Sequence, residues 1–139
     1  MKQLRWLLAR EAEILPVPYY HVVFTIPHEL NVLVSYNAPL IYKVLFQSAW
    51  STLNTLGHDP KRLDGQMGAL AFLHTWGQNL SQHIHLHCLI PGGAISENDD
   101  QEKIWNATSG KYLFPKRVMS ALFGPVFISG LKKAYANNS

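Results

Sequence analysis

The stretch HIHLHCLIPGG, residues 83–93, places histidines at three alternate positions, although the whole chain contains only seven. In a β-strand, alternate side chains point to the same face, so His83, His85 and His87 would line one face and the apolar residues between them the other. Imidazoles gathered in this way can bind a metal ion or act on a phosphate group. On a helix, where successive residues turn by about 100°, these alternate residues would point to nearly opposite sides and could not converge. The pattern predicts a strand with one chemically active face. The alternative is a polar strand face whose histidines have no chemical role.

The sequence also indicates the approximate positions of the helices and strands that must hold these histidines. Pro16 and Pro18 separate a helical start from a strand with β-branched and aromatic residues. Asn37 can cap a long helix that Gly57 ends. The predicted elements are helices at 4–15 and 38–56, strands at 19–27, 68–77 and 83–90, a loop at 96–110, and late helical turns interrupted by Gly124, Pro125 and Gly130.

The order β-α-β-β-α predicts an α+β fold, namely a split βαβ, ferredoxin-like antiparallel sheet with helices packed on it. Residues 1–18 form a helical lead-in and residues 19–139 the main domain. The final strand that this fold usually contains is not evident in the sequence. An incomplete sheet would expose an unpaired edge, so we expect aggregation or pairing with another copy in a homo-oligomer.

Composition narrows the class of protein. The 139 residues are 47% hydrophobic, which suits one globular domain with a real core. The single cysteine, Cys88, excludes an internal disulfide framework and a cysteine-based zinc site. The first residues carry charges through their apolar part and do not resemble a signal peptide, and no window is long and apolar enough to span a membrane. We therefore expect a soluble, cytoplasmic protein without a membrane partner.

The net charge of +3 conceals an asymmetry along the chain. Acidic residues cluster at Glu97, Asp99, Asp100 and Glu102, and no acid follows them. Positive residues continue to the C-terminal end: Lys103, Lys111, Lys116, Arg117, Lys132 and Lys133. A positive tail suits a polyanion such as nucleic acid, and an ordinary solvated helix face is the equally weighted alternative.

Two known families carry histidines in this pattern. HIHLHCL resembles the signature of the histidine-triad nucleotide hydrolases and transferases, which would make His85 the nucleophile towards an α-phosphate, supported by His83 and His87 without a metal. Such proteins carry the triad near their C-terminal end, whereas about fifty residues follow it here. Their upstream nucleotide-binding segment also has no counterpart in this chain.

The second resemblance is to the HUH endonucleases, named for two histidines separated by a hydrophobic residue. HLHCLI resembles their core strand. The blocks LLAREAEILPVPYYHVVFTIPHELN, LHTWGQNL, HIHLHCLIPGG and YLFPKRVMSALF together resemble rolling-circle insertion-sequence transposases with a two-tyrosine active site. Because several separated blocks agree in order over residues 7–135, this resemblance is favoured.

The resemblance implies cleavage and rejoining of single-stranded DNA at the ends of a mobile element. In that chemistry a divalent ion, Mg²⁺ or Mn²⁺, polarises the scissile phosphate while a tyrosine attacks it. His85 and His87 would be the metal pair, with His83 or Gln78 as the third ligand. A protein of this kind works in the bacterial cytoplasm, associated with the nucleoid.

Other residues receive weaker roles. His74 either supports a ligand or packs in a mixed strand face, and His21 and His28 are interpreted as structural or surface positions. Trp76 either stacks on an unpaired base or belongs to the core. The candidate DNA contacts are Lys116, Arg117, Lys132, Lys133 and Trp76.

The chain also departs from the family. The family's catalytic tyrosines lie on a helix beyond the matched region, and none of the six tyrosines here forms a paired motif. The family's cysteine-rich zinc segment cannot be supplied by one cysteine. We therefore expect a central fragment of a longer transposase that contains the metal half of the site and lacks the nucleophile. A non-catalytic DNA-binding remnant is the remaining alternative.

Overall fold

The computed structural model describes residues 15–75 and 83–137. Within them the chain is a mixed α+β fold with two antiparallel sheets and two helices, in agreement with the predicted class. The elements in chain order are β1 (Tyr19–Thr25), a 3-10 turn (His28–Leu30), α1 (Asn31–His58), β2 (Leu70–Thr75), β3 (Ile84–Pro91), β4 (Gly93–Glu97), β5 (Lys103–Ala107) and α2 (Lys116–Asn137). The predicted helix at 4–15 lies outside the described residues, apart from Leu15.

The histidine strand β3 lies at the centre of a three-stranded antiparallel sheet with the order β1-β3-β2. Leu86 and Cys88 on one face of β3 are buried, whereas Leu89 on the other is 39% exposed. A slip of one residue would exchange the two faces, so burial of the apolar set fixes the register. The predicted pairing of β2 with β3 is confirmed.

The core lies between the sheet and the helices. Leu86 of β3, Leu45 of α1 and Phe127 of α2 are almost completely buried and belong to one hydrophobic cluster. α1 packs against α2 and contacts β3. The face of the sheet that carries His85 and His87 is therefore the face turned away from this core.

Helix α1 is longer than the predicted 38–56 segment. It contains a break at Asn37, whose φ of −153° and ψ of 70° are not helical. The predicted helix after Asn37 is present. Because Asn37 is not helical, a new first turn begins after it, and Pro39 lies in that turn, where a missing N–H is tolerated. A preceding helical segment that begins at Asn31 was not predicted.

The predicted loop at 96–110 is wrong, because β4 and β5 pair there as an antiparallel hairpin. The acidic residues lie at its turn, where the Asn98 side-chain oxygen accepts hydrogen bonds from the N–H groups of Asp100 and Glu102. β4 begins at Gly93, where a Cβ would clash with the Trp105 ring on β5. Two five-residue strands around a polar turn give little periodicity to detect.

The predicted interruptions of the last helix are also wrong, because α2 is continuous from Lys116 to Asn137. Tertiary packing overrides the local signals of Pro125 and the two glycines. A Cβ at Gly130 would lie 2.8 Å from Val44 Cγ1 of α1, so this glycine lets the two helices approach closely. In the described part of the chain, no helix has the length and apolar character required to cross a bilayer.

Candidate functional site

His85 and His87 project from β3 away from the core, as the alternation predicted. His83 directly precedes the strand and is exposed. In the sheet register, His85 lies between Thr25 of β1 and His74 of β2. We call the exposed side of this sheet, which carries His21, His74, His85 and His87, the histidine face.

Both strand histidines are held through the same ring nitrogen. His85 Nδ1 lies 2.9 Å from Thr25 Oγ1, and His87 Nδ1 lies 2.8 Å from His21 Nε2. Both partners come from β1. In the tautomers that carry a proton on Nδ1, the Nε2 atoms of His85 and His87 present lone pairs. This is the arrangement that orients imidazoles as metal ligands.

His87 lies between two rings. The His21 ring is nearly coplanar with it and meets it edge to edge through the hydrogen bond, with centroids 5.0 Å apart, whereas the Phe72 ring lies parallel to it with centroids 5.1 Å apart. Loss of solvent around the ring lowers the pKa of His87, and repulsion from neighbouring imidazoles lowers it further, with His21 first. The neutral imidazole, which is the form that can bind a metal, is favoured as a result.

The ring orientations distinguish the histidine pairs. The ring centroids of His85 and His87 are 6.2 Å apart and the planes are inclined by 69°. Those of His83 and His85 are 5.9 Å apart, but the planes are nearly parallel at 12°. No three His, Cys, Asp or Glu side chains within residues 15–75 and 83–137 are grouped to hold an ion.

Other histidines surround this pair. The His74 ring lies 5.8 Å from that of His87, and the His28 ring lies 6.5 Å from that of His83. The interpretation of His21 as a structural or surface residue missed its bond to His87. The alternation in YYHVVFT places His21 and Thr25 on one face, but the sequence holds no signal for the register that pairs them with β3.

Two predicted site residues cannot be placed. Gln78, the alternative third ligand, and Trp76, the candidate base-stacking residue, lie outside the described residues. Both belong to the segment that joins β2 to β3, so their roles stay predictions.

The four predicted basic contacts lie at two ends of α2. Lys116 and Arg117 are at its first turn and Lys132 and Lys133 near its last, all of them exposed. At 1.5 Å per residue the two pairs are about 24 Å apart along the helix. Only Lys116 lines a groove with His21 and Thr25 of β1. The structure therefore brings one of the four to the edge of the histidine face.

Comparison with known proteins gives consistent matches. A family model described as "Putative transposase" matches residues 68–139. The "Putative transposase y4qJ" of Sinorhizobium fredii is 43% identical over 131 residues, which are 94% of this chain and 32% of the relative. The "Transposase for insertion sequence element IS801" of Pseudomonas savastanoi pv. phaseolicola is 30% identical over 105 residues, which are 76% of this chain and 24% of the relative. No solved structure matches significantly.

Proposed function

The chain belongs to the transposase family whose model matches residues 68–139, and from this premise we propose that the histidine face is the metal half of a site that cuts and rejoins one DNA strand. The observation that carries the proposal is the pair of bonds that hold Nδ1 of His85 and Nδ1 of His87. The chain spans about a third of one relative and a quarter of the other, and we propose that the complete reaction belongs to a longer protein.

His85 and His87 would bind the ion through Nε2. Two imidazoles that share one ion, each with a metal–nitrogen distance of about 2.1 Å, have ring centres roughly 5 Å apart. The observed 6.2 Å is close to this value, and small rotations of the two side chains would close the difference. A divalent ion bound there, Mn²⁺ or Mg²⁺, would polarise the scissile phosphate as a Lewis acid.

A third protein ligand is needed to fix the ion. His83 is one candidate, since its ring centroid lies 5.9 Å from that of His85. Gln78 is the other candidate, and its amide oxygen suits a hard divalent ion. We propose that one of these two residues completes the site; Gln78 follows Thr75, the last residue of β2, which pairs with Ile84 beside His85.

The fold suits this use. We propose that β1, β3 and β2 form the centre of an HUH-type, split βαβ sheet, in which the central strand carries the histidine pair. Helices cover the opposite face, and within residues 15–75 and 83–137 no helix packs on the histidine face, which would receive the DNA strand. Lys116, Arg117, Lys132 and Lys133 would contact its phosphates.

The nucleophile is proposed to lie in another part of the longer protein. In the described residues, the helix that follows β3 carries a single tyrosine, Tyr135, whereas the proposed reaction uses a pair. Transesterification by tyrosine leaves a covalent protein–DNA bond. We therefore expect this chain to bind a divalent ion and single-stranded DNA but not to cleave the DNA.

Metal titration tests the proposal. Mn²⁺ binding, followed by the loss of its free electron paramagnetic resonance signal, should disappear in the variant with His85→Ala and His87→Ala. His58→Ala is the matched control, because His58 lies at the end of α1 and its ring bonds to Gln66. Equal Mn²⁺ binding by the double variant and the unchanged chain would contradict the metal assignment.

A nicking assay tests the second part. An end-labelled single strand incubated with Mn²⁺ and this chain should remain intact and form no covalent adduct. An adduct that disappears in one tyrosine variant would show that the chain contains its own nucleophile. DNA binding that persists in the double histidine variant, with no Mn²⁺ bound by either form, would favour a non-catalytic DNA-binding remnant.

A further inference from the structure

Phe72 is an aromatic residue on the histidine face that lies directly beside His87. The two residues are register partners on β2 and β3. Their ring planes are inclined by only 7° and their ring centroids are 5.1 Å apart. Since neighbouring strands of a sheet lie about 4.7–4.9 Å apart, two parallel rings at this distance lie flat against each other across the gap between the strands. Phe72 therefore forms a flat wall on one side of the His87 ring.

Burial in the core does not account for an aromatic ring at this position. Phe72 is 52% exposed, and it lies on the face of the sheet that is turned away from the core. Its neighbours along the strand on that face are Leu70, which is 65% exposed, and His74. Of these three residues of β2, Phe72 is the one that pairs with His87 in register. The parallel contact with the His87 ring is what distinguishes Phe72 from the side chains around it.

A single hydrogen bond does not fix the orientation of an imidazole. The bond between His87 Nδ1 and His21 Nε2 holds one atom of the His87 ring, and the ring can still tilt about that atom. A flat neighbour on the face of the ring opposes the tilt, because tilting separates the two rings on one side and crowds them on the other. The two restraints therefore act on different parts of the imidazole, one on its edge and the other on its face.

We propose that Phe72 is a positioning residue that fixes the plane of the His87 ring, so that the Nε2 lone pair points in one direction across the histidine face. The inference rests on the proposed function, in which His87 binds a divalent ion through Nε2, and it adds the residue that holds this ligand from the β2 side. A phenyl ring has no nitrogen or oxygen lone pair, so Phe72 orients the ligand without competing for the ion.

Removing the ring tests the proposal. Phe72→Ala should weaken Mn²⁺ binding about tenfold, which is the lower end of the loss expected when a group that orients a metal ligand is removed. Leu70→Ala is the matched control and should leave Mn²⁺ binding unchanged, because Leu70 lies on the same strand and the same face but pairs with Leu89. Isothermal titration calorimetry of the full chain measures both affinities. Equal Mn²⁺ affinities of the two variants would overturn the proposal.

Two conservative variants separate the effect of a flat ring from that of apolar bulk. Phe72→Tyr keeps the ring and should bind Mn²⁺ as tightly as the unchanged chain. Phe72→Leu keeps an apolar side chain without the ring and should bind Mn²⁺ several-fold more weakly. Because Phe72 is half exposed, neither substitution should change the melting temperature much. Equal Mn²⁺ affinities of these two variants would contradict the role of the ring.

A measurement without metal separates this inference from the proposed function. The order parameter of the His87 Cδ2–H bond, obtained from ¹³C relaxation, reports motion of the ring and should fall in Phe72→Ala but not in Leu70→Ala. If the unchanged chain binds no Mn²⁺ but the order parameter falls in this way, the metal assignment fails and Phe72 fixes the ring. If His85→Ala abolishes Mn²⁺ binding but Phe72→Ala changes neither the affinity nor the order parameter, the metal assignment stands and the inference fails.

Discussion

His87 Nδ1 and His21 Nε2 lie 2.8 Å apart on adjacent antiparallel strands, although the two residues are 66 positions apart in the sequence. The bond occupies the nitrogen of His87 that faces β1 and fixes the orientation of the ring. In the proposed metal site, His21 would act on the ion only through the His87 ring, as a positioning residue.

Replacing His21 tests this role. His21→Ala should weaken Mn²⁺ binding about tenfold, because the His87 ring loses the hydrogen-bond partner that fixes its orientation. His21→Gln, which keeps a side-chain hydrogen-bonding group, should restore part of the affinity. Isothermal titration calorimetry measures both, with His58→Ala as control. An affinity that is unaffected by His21→Ala would leave His21 without a role in the site.

Thr25 should support His85 in the same way. Thr25→Val removes the hydroxyl bonded to His85 Nδ1 with little change of shape, so we expect several-fold weaker Mn²⁺ binding and an unchanged melting temperature. Thr75→Val is the matched control, because Thr75 pairs with Ile84 and lies on the opposite face. If the two valine variants bind Mn²⁺ equally, Thr25 does not orient His85.

The Cys88 thiol should be unreactive in the folded protein. Burial raises the pKa of Cys88 to about 11, so the nucleophilic thiolate is scarce near pH 8. Ellman's reagent should react slowly with the native chain and rapidly with the urea-unfolded chain. Because the folded pKa is raised, stability should also fall as the pH rises from the pKa of the unfolded thiol towards 11. Rapid reaction without urea would show that β3 opens readily.

The two faces of β3 should differ in their contribution to stability. Leu86 is completely buried, and Leu86→Ala should lower the free energy of unfolding by about 2–5 kcal/mol. Leu89 is 39% exposed on the histidine face, and Leu89→Ala should cost less than about 1 kcal/mol. Urea unfolding followed by circular dichroism gives both values. Similar costs for the two variants would contradict the assignment of the faces.

The sequence could predict that β3 is a strand and which of its side chains share a face, because a strand has a strict period of two. His85, Leu86 and His87 follow that period without exception, so one face had to be apolar. The β4–β5 hairpin could not be predicted in the same way. Its strands are short, and Gly93 serves the packing of Trp105, which lies on the partner strand.

The continuity of α2 could not be predicted from the local sequence either. Locally, Gly124 and Pro125 favour an end to the helix, and the helix persists because Phe127 and Leu131 are buried against the rest of the core. That burial depends on α1, which is distant in the sequence. Local propensity therefore gave the wrong prediction where long-range packing supplied more stabilisation.

The sequence by itself determined that β3 carries its imidazoles on one side, because alternation is a property of neighbouring residues. Only the tertiary structure decided which side chains hold those imidazoles. His21 and Thr25 reach His87 and His85 through the register of β1 on β3, and register depends on which faces are buried when distant strands meet. Within residues 15–75 and 83–137, the same pairing leaves the outer edge of β1 without a strand partner, a relationship that no local pattern contains.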